Sequence, residues 1–128
     1  MKSSDAVRIV RGRAAQSSGL DAEAIACAAL EADGWSVLGR RLRTPAGEVD
    51  LVVQKDALIA FVEVKRRPTL AGAAAALAPR QRARLLAAAE ILLASHPEWA
   101  NGDLRFDVLV VDRQGAVRRI TDAFRDEG

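Results

Sequence analysis

The sequence predicts an α/β domain built on one mixed sheet with helices on its faces. The chain has 128 residues, half of them hydrophobic and 28% charged, which is the size and composition of one globular domain. Its hydrophobic patterns follow the order helix, three strands, helix, one or two strands. The third strand is apolar on both faces, as in a covered sheet. Short turns join the first three strands into an antiparallel meander.

The N-terminal segment differs in composition from the rest of the chain. Residues 1–18 are small, polar and basic, and Ser17, Ser18 and Gly19 form a break before the first helical pattern. We therefore expect a flexible basic N-terminal arm over 1–18 and a single domain over 19–128.

Two main helices are predicted from hydrophobic spacing and from their end signals. Leu20, Cys27 and Leu30 share one face of the first helix, and Gly34 stops it. Pro79 suits the first turn of the second helix. The expected helical ranges are 20–33 and 79–95, with a short helix or helical loop at 71–77.

The strands are bounded by turn residues. The meander has one turn around Pro45 and Gly47 and a second around Asp56, and another turn at Gly115 precedes the final strand. The expected strand ranges are 35–43, 48–54, 58–65, 103–112 and 117–120.

Composition excludes several classes of function. The chain contains sixteen arginines, three lysines and seventeen acidic residues, which gives a net charge of +2. A charge this small excludes simple electrostatic coating of nucleic acid as the main activity but allows a local basic patch. The single Cys27 and single His96 exclude a disulfide framework and a multi-histidine metal site within one chain. No apolar run approaches the ~18 residues of a membrane span. We expect a cytoplasmic protein without a membrane partner.

Two carboxylates are predicted to meet across the second hairpin. Alternation along the third strand puts Glu63 and Lys65 on one face at its C-terminal end, where open α/β sheets bind their ligands. A loop of two residues (Asp56-Ala57) or of four (Lys55 to Leu58) brings Asp50 opposite Glu63, with Cβ atoms about 5 Å apart. The repulsion raises one carboxyl pKa unless a cation intervenes. That cation is either Lys65 or a divalent metal such as Mg²⁺.

Glu23 lies on the inward stripe of the first helix, at the spacing of Leu20 and Cys27. A charge there is costly unless it is paired or hydrated. The residue is therefore either an ion-pair partner, for example of Lys65, or part of a polar cleft.

The ordered set of motifs resembles the PD-(D/E)XK nuclease fold, which is restriction-endonuclease-like. More narrowly, it resembles the YraN-like family of uncharacterised bacterial proteins (uncharacterised protein family 0102). The resemblance spans roughly residues 19–124, and an arginine-rich second-helix start accompanies it. The matching positions are Gly19, Glu23, Gly34-Trp35, Arg43, Gly47-Glu48-Val49-Asp50-Leu51, Phe61-Val62-Glu63-Val64-Lys65, Arg67, Arg105-Phe106-Asp107-Val108 and Ala123-Phe124.

The resemblance implies a role for each central residue. Asp50 and Glu63 would ligate Mg²⁺ or Mn²⁺ together with the Val64 main-chain carbonyl, and Glu23 would bind the metal directly or through water. Lys65 would orient or deprotonate the attacking water and offset charge on the reacting phosphate. The metal would act as a Lewis acid. The alternative for Asp50, Glu63 and Lys65 is a structural salt-bridge cluster.

Basic and polar residues at two places are candidate nucleic-acid contacts. They are Arg66, Arg67, Arg80, Gln81 and Arg84. Where many relatives carry lysine at the start of the second helix, this chain leaves Arg80 and Gln81 as alternatives for the phosphate contact. The arginines as a group could equally be a solvated face. Arg105 and Asp107 share a strand face and are interpreted as structural partners, of Glu48 or Glu23 among others.

The sequence thus predicts a metal-dependent endonuclease, a hydrolase that cuts phosphodiester bonds in nucleic acid, with DNA favoured over RNA. The alternative is a nucleic-acid-binding or assembly module with the same fold and little or no turnover. A purely structural interaction protein would need carboxylates that are dry and fully salt-bridged. A homodimer is compatible with so small a domain.

Overall fold

The computed structural model describes residues 7–9, 21–71 and 79–121. Its elements follow the predicted order. They are β1 (Val7–Ile9), α1 (Ala22–Ala32), β2 (Ser36–Thr44), β3 (Gly47–Lys55), β4 (Leu58–Arg66), α2 (Pro79–Ser95), a 3₁₀ helix (Pro97–Asn101), β5 (Asp103–Val111) and β6 (Ala116–Ile120). Within these residues, no helix is long and apolar enough to cross a membrane.

The strands form one mixed sheet in the order β1-β6-β5-β4-β3-β2. Strands β2, β3 and β4 are consecutive and antiparallel, which confirms the predicted meander. The connection through α2 returns the chain to lie parallel to β4, so that β5 is the parallel neighbour. The predicted α/β class with a mixed sheet is confirmed.

Helices cover both faces of the sheet, and β4 has apolar side chains on both of its faces. Ala60 and Val62 pack with α1 in one hydrophobic cluster, and Ile59 and Phe61 pack with α2 in another. All four side chains are buried. Burial of each large side chain contributes about 1.5–3 kcal/mol, so the two layers hold β4 rigidly at the centre of the sheet.

Helix α1 begins after a side-chain cap. The Asp21 carboxylate accepts a hydrogen bond from the Ala24 N–H at 3.0 Å, so regular helix starts at Ala22 rather than at Leu20. Gly34 follows the helix with a φ of 95°, a conformation that glycine adopts without strain.

Three residues of the predicted N-terminal arm form the strand β1. Residues Val7–Ile9 pair antiparallel with β6, with Val7 opposite Arg118. They satisfy main-chain groups at the edge of β6, which an arm detached from the domain would leave unpaired. The remaining residues of the predicted arm lie outside the described ranges.

The loop between β3 and β4 has an even number of residues, as is needed to bring Asp50 opposite Glu63. Lys55 pairs with Leu58, so the loop consists of Asp56 and Ala57 alone. Asp56 adopts a φ of 56°, as the first residue of tight hairpin loops often does. The register continues to Leu51 opposite Val62.

Helix α2 has the predicted bounds, and the possible helix at 71–77 falls mostly on residues that the structure does not describe.

Candidate active site

An open cleft of about 200 Å³ lies between the start of α2 and the β3–β4 pair. Both predicted carboxylates, Asp50 and Glu63, line it, because the hairpin register places them on neighbouring strands at the same level. The other lining residues are Gly47, Glu48, Gln81, Arg84 and Leu85.

Asp50 lies where the β3–β4 ladder ends. The Val64 N–H donates a hydrogen bond to Asp50 Oδ2 at 2.8 Å, in place of a main-chain acceptor on β3. In an extended strand the N–H and C=O of one residue point to the same neighbouring strand. The Val64 carbonyl therefore also faces the β3 side, next to the Asp50 carboxylate.

The pKa of Asp50 is raised from 3.8 to about 7. Burial is the main cause, and the negative charges of Glu63, Glu23 and Glu48 add to it. The Val64 hydrogen bond opposes the shift, because it favours the charged form. The surroundings of Asp50 therefore stabilise its ionised form poorly.

Glu63 and Lys65 point to the same side of β4, as the alternation predicted. Lys65 Nζ lies 3.3 Å from Glu63 Oε2, and the two side chains are only 12% and 19% exposed. The sequence predicted either Lys65 or a divalent metal as the cation of this site, and Lys65 contacts Glu63.

Glu23 is an ion-pair partner, but not of Lys65. Its Oε1 accepts a hydrogen bond from Arg41 Nε at 2.6 Å. Lys65, the partner suggested from the sequence, is therefore wrong, because Arg41 of the edge strand β2 forms the ion pair instead. Glu23 does not line the cleft, although its charge contributes to the raised pKa of Asp50. Its role as a metal ligand stays a prediction.

The predicted nucleic-acid contacts fall into two groups. Gln81 and Arg84 line the cleft opposite the carboxylates, whereas Arg80 is exposed and does not line it. Arg66 and Arg67 are exposed at the end of β4. The Arg67 Nη1 donates to the Arg66 carbonyl at 2.7 Å. Between the two alternatives at the start of α2, the structure brings Gln81 to the carboxylates.

Sequence reasoning missed the part of β2 next to the site. Arg43 pairs with Glu48 across the β2–β3 ladder, and their Nε and Oε2 atoms are 3.6 Å apart. Arg41 lies between the pairs that flank Asp50. The register of this ladder shifts between Val37 and Gly39. A bulge of this kind leaves no signal in simple alternation, so the sequence could not place Arg41.

Arg105 and Asp107 have a structural role, as predicted, but their partners are each other. The Arg105 Nε and Nη2 donate to the two Asp107 oxygens at 2.8 and 2.9 Å. The partners suggested on other elements, Glu48 and Glu23, are wrong: Arg119 of β6 supplies the second cation, at 3.5 Å. Asp107 is fully buried, and both guanidinium groups lie over the Trp35 ring.

The cleft offers few oxygen donors, but their chemistry is the kind that Mg²⁺ binds. Among the described residues, no group of three or more His, Cys, Asp or Glu side chains is placed to hold a metal. Mg²⁺ commonly uses one or two carboxylates and completes its octahedron with water and phosphate oxygens. Asp50, Glu63 and the Val64 carbonyl fit that smaller set.

The fold and the site together define an α/β protein with a restriction-endonuclease-like core, in which two neighbouring strands, β3 and β4, each carry an acidic residue into a cleft. A family model described as "Uncharacterised protein family UPF0102" matches residues 22–111. The chain belongs to this family, which is the YraN-like family that the sequence resembles.

Curated relatives agree with the family model. A UPF0102 protein of Granulibacter bethesdensis is 62% identical over 92% of this chain and 75% of its own length. A UPF0102 protein of Azorhizobium caulinodans is 50% identical over 92% of this chain and 90% of its own. One of Rhodopseudomonas palustris is 50% identical over 87% of this chain and 85% of its own.

Proposed function

We propose that the cleft is the active site of a metal-dependent endonuclease that hydrolyses phosphodiester bonds in nucleic acid. The observation that carries the proposal is the arrangement of the cleft walls. Asp50 and Glu63 form one wall, and Gln81 and Arg84 form the other. Carboxylates attract a divalent cation, and a guanidinium group binds phosphate oxygens. A phosphodiester fits between the two.

Asp50, Glu63 and the Val64 carbonyl would hold Mg²⁺ or Mn²⁺. The ion supplies Lewis-acid chemistry and lowers the pKa of water. Its positive charge would also offset the burial and the carboxylate repulsion that raise the pKa of Asp50.

The other cleft residues act on the substrate. Lys65, held 3.3 Å from Glu63, would orient the attacking water and offset charge on the reacting phosphate. Arg84 and Gln81 contact the phosphate, and Arg84 is the stronger contact because its guanidinium group carries charge. We place this activity in the cytoplasm, on DNA rather than RNA.

The proposal is tested by cleavage of labelled DNA and RNA structures with Mg²⁺ or Mn²⁺. We expect wild-type cleavage that EDTA abolishes, and loss by orders of magnitude in Glu63→Gln. The matched control is Glu90→Gln, since Glu90 is an exposed carboxylate of α2 outside the cleft. Failure of wild type to cleave any probe with either metal would refute the proposal.

Stability separates a catalytic Glu63 from a structural one. Glutamine retains an oxygen that accepts a hydrogen bond from Lys65, so we expect Glu63→Gln to cost the metal-free fold only about 1 kcal/mol. This cost is the same whether Glu63 serves chemistry or structure, because the contact with Lys65 is the same. Only the ligand role predicts that Mg²⁺ raises the melting temperature of wild type and that Glu63→Gln loses this rise. Thermal melts with and without Mg²⁺ therefore distinguish the two roles.

The Glu63–Lys65 contact favours one alternative, a binding or assembly module with little turnover. An ammonium group that already compensates Glu63 weakens the need for a metal ion. This alternative predicts that nucleic acid binds equally well in EDTA and is never cut, whatever divalent ion is added.

A further inference from the structure

Arg41 is held in an unusual way at the edge of the sheet. Its φ is 52°, in the left-handed region that residues with side chains seldom adopt. Its side chain is 62% exposed, yet its Nε donates a short hydrogen bond of 2.6 Å to Glu23. The pair compensates the charge of Glu23, whose side chain is only 20% exposed. That compensation explains neither the left-handed backbone of Arg41 nor a side chain that stays largely exposed.

The position of Arg41 points to the cleft. The neighbouring ladder pairs are Arg40 with Leu51 and Leu42 with Val49, so Arg41 lies beside Asp50. One wall of the cleft is therefore continuous with the exposed edge of β2. Strained residues and bulges concentrate at functional sites, where they direct a side chain.

Charged side chains on an edge strand also have a simpler use, which is to prevent pairing with other sheets. Arg40 and Arg43 serve that purpose without a left-handed backbone or a short ion pair. Edge protection does not require a specific carboxylate on α1 that holds Arg41.

We propose that Arg41 binds a backbone phosphate of the nucleic acid, and that Glu23 holds Arg41 in position until the phosphate replaces it. The inference rests on the proposed function and extends the substrate-binding surface from the cleft onto β2. The exchange is chemically balanced, because a carboxylate and a phosphate both accept charge-assisted hydrogen bonds from guanidinium. Arg41 is thus a substrate-positioning residue, and Glu23 competes with the substrate for it.

The test measures binding of a short fluorescein-labelled DNA duplex by anisotropy, in EDTA and at several salt concentrations. Arg41→Asn removes the charge and tolerates the left-handed φ. We expect weaker binding and a log–log salt slope flatter by about 0.7–0.9, the contribution of one phosphate contact. Arg41→Lys keeps a charge and should retain the slope. Arg40→Ala is the control, because Arg40 is the exposed neighbour of Arg41 on β2 and does not share its left-handed φ.

Glu23→Gln should have the opposite effect and tighten binding, because it frees Arg41. The control is Glu31→Gln, which removes an exposed carboxylate from the same helix. In the Arg41→Asn background the Glu23→Gln gain should fall to that of the control. A slope unchanged by Arg41→Asn, or a Glu23→Gln gain that persists in the double variant, would overturn the inference.

Cleavage by the same proteins separates this inference from the proposed function. If wild type cuts DNA and Glu63→Gln does not, while Arg41→Asn leaves the slope unchanged, only the inference fails. If Arg41 controls binding but wild type never cuts, only the nuclease proposal fails. If wild type does not bind the duplex or any other nucleic acid, both fail.

Discussion

The Asp50 carboxyl is half-buried beside Glu63, and its pKa is raised from 3.8 to about 7. Strand alternation predicted the repulsion between these two residues. It could not predict that burial is the larger cause, because burial depends on how α2 and the β2–β3 turn close the cleft around Asp50. The hydrogen bond from Val64 was also invisible in the sequence, since it replaces a ladder bond that ordinary pairing would supply.

Asp50 should make stability depend on pH. The folded state keeps the Asp50 proton up to about pH 7, whereas the unfolded chain releases it near 3.8. The folded state therefore binds more protons between these values, and stability falls as the pH rises through them. Asp50→Asn removes this loss and keeps an oxygen for Val64.

We expect Asp50→Asn to be more stable than wild type by about 1–3 kcal/mol near pH 8, with the gap closing near pH 4. The solvent in the open cleft keeps the gain below the full linkage of about 4 kcal/mol. Urea denaturation at both pH values measures it. A gap that is constant with pH would mean that Asp50 has an ordinary pKa in the folded protein.

The elements differ in how far the sequence predicts them. The bounds of α2 follow from a local signal, a helix-starting proline, whereas alternation required an even β3–β4 loop without deciding between two residues and four. The β2 bulge and the strand at Val7–Ile9 follow from no local signal, because each depends on a partner strand. The same limit applies to side-chain partners. Arg119 reaches Asp33 across 86 positions of sequence.

The ion cluster that joins β5 to β6 should be important for stability. Asp107 is fully buried, and its carboxylate contacts Arg105 and Arg119, whose side chains are 24% and 18% exposed. Desolvation lowers the pKa of Arg119, so its charge depends on the nearby carboxylates. Asp107→Ala leaves two largely buried guanidinium groups poorly compensated.

We expect Asp107→Ala to lower the free energy of unfolding by about 3–5 kcal/mol, measured by urea denaturation. The exposed pair of Arg43 and Glu48 provides the contrast, and Arg43→Ala should change stability by less than about 1 kcal/mol. Similar losses in the two variants would show that the Asp107 cluster is solvated in solution rather than buried.

Across the whole molecule, the fold places its uncompensated charge at one end of the central strand. The hydrophobic clusters on the two faces of the sheet hold β4 in place. Asp50 and Glu63 lie directly beyond the last paired residues of β3 and β4. The buried cations and anions of the Asp107 cluster compensate one another, whereas burial and neighbouring carboxylates disfavour the charged form of Asp50 in the cleft. A divalent cation that binds there should therefore stabilise the entire domain.

Metal binding should raise the melting temperature, and above Kd the stabilisation should grow with the logarithm of the metal concentration. At a metal concentration of about 100 Kd, the gain is about 2.7 kcal/mol. Asp50 must lose its proton to bind a cation, so the affinity and the thermal shift should increase as the pH rises from about 6 to about 8.

Differential scanning calorimetry with Mg²⁺ and with Mn²⁺ at the two pH values checks this. Glu63→Gln should lose most of the shift, and Glu90→Gln, which leaves the cleft intact, should keep it. A shift that is equal in Glu63→Gln and wild type would place the bound metal elsewhere on the protein. A shift that is absent from wild type at both pH values would contradict a metal site in the cleft, because the charge that should attract the ion is greatest at the higher pH.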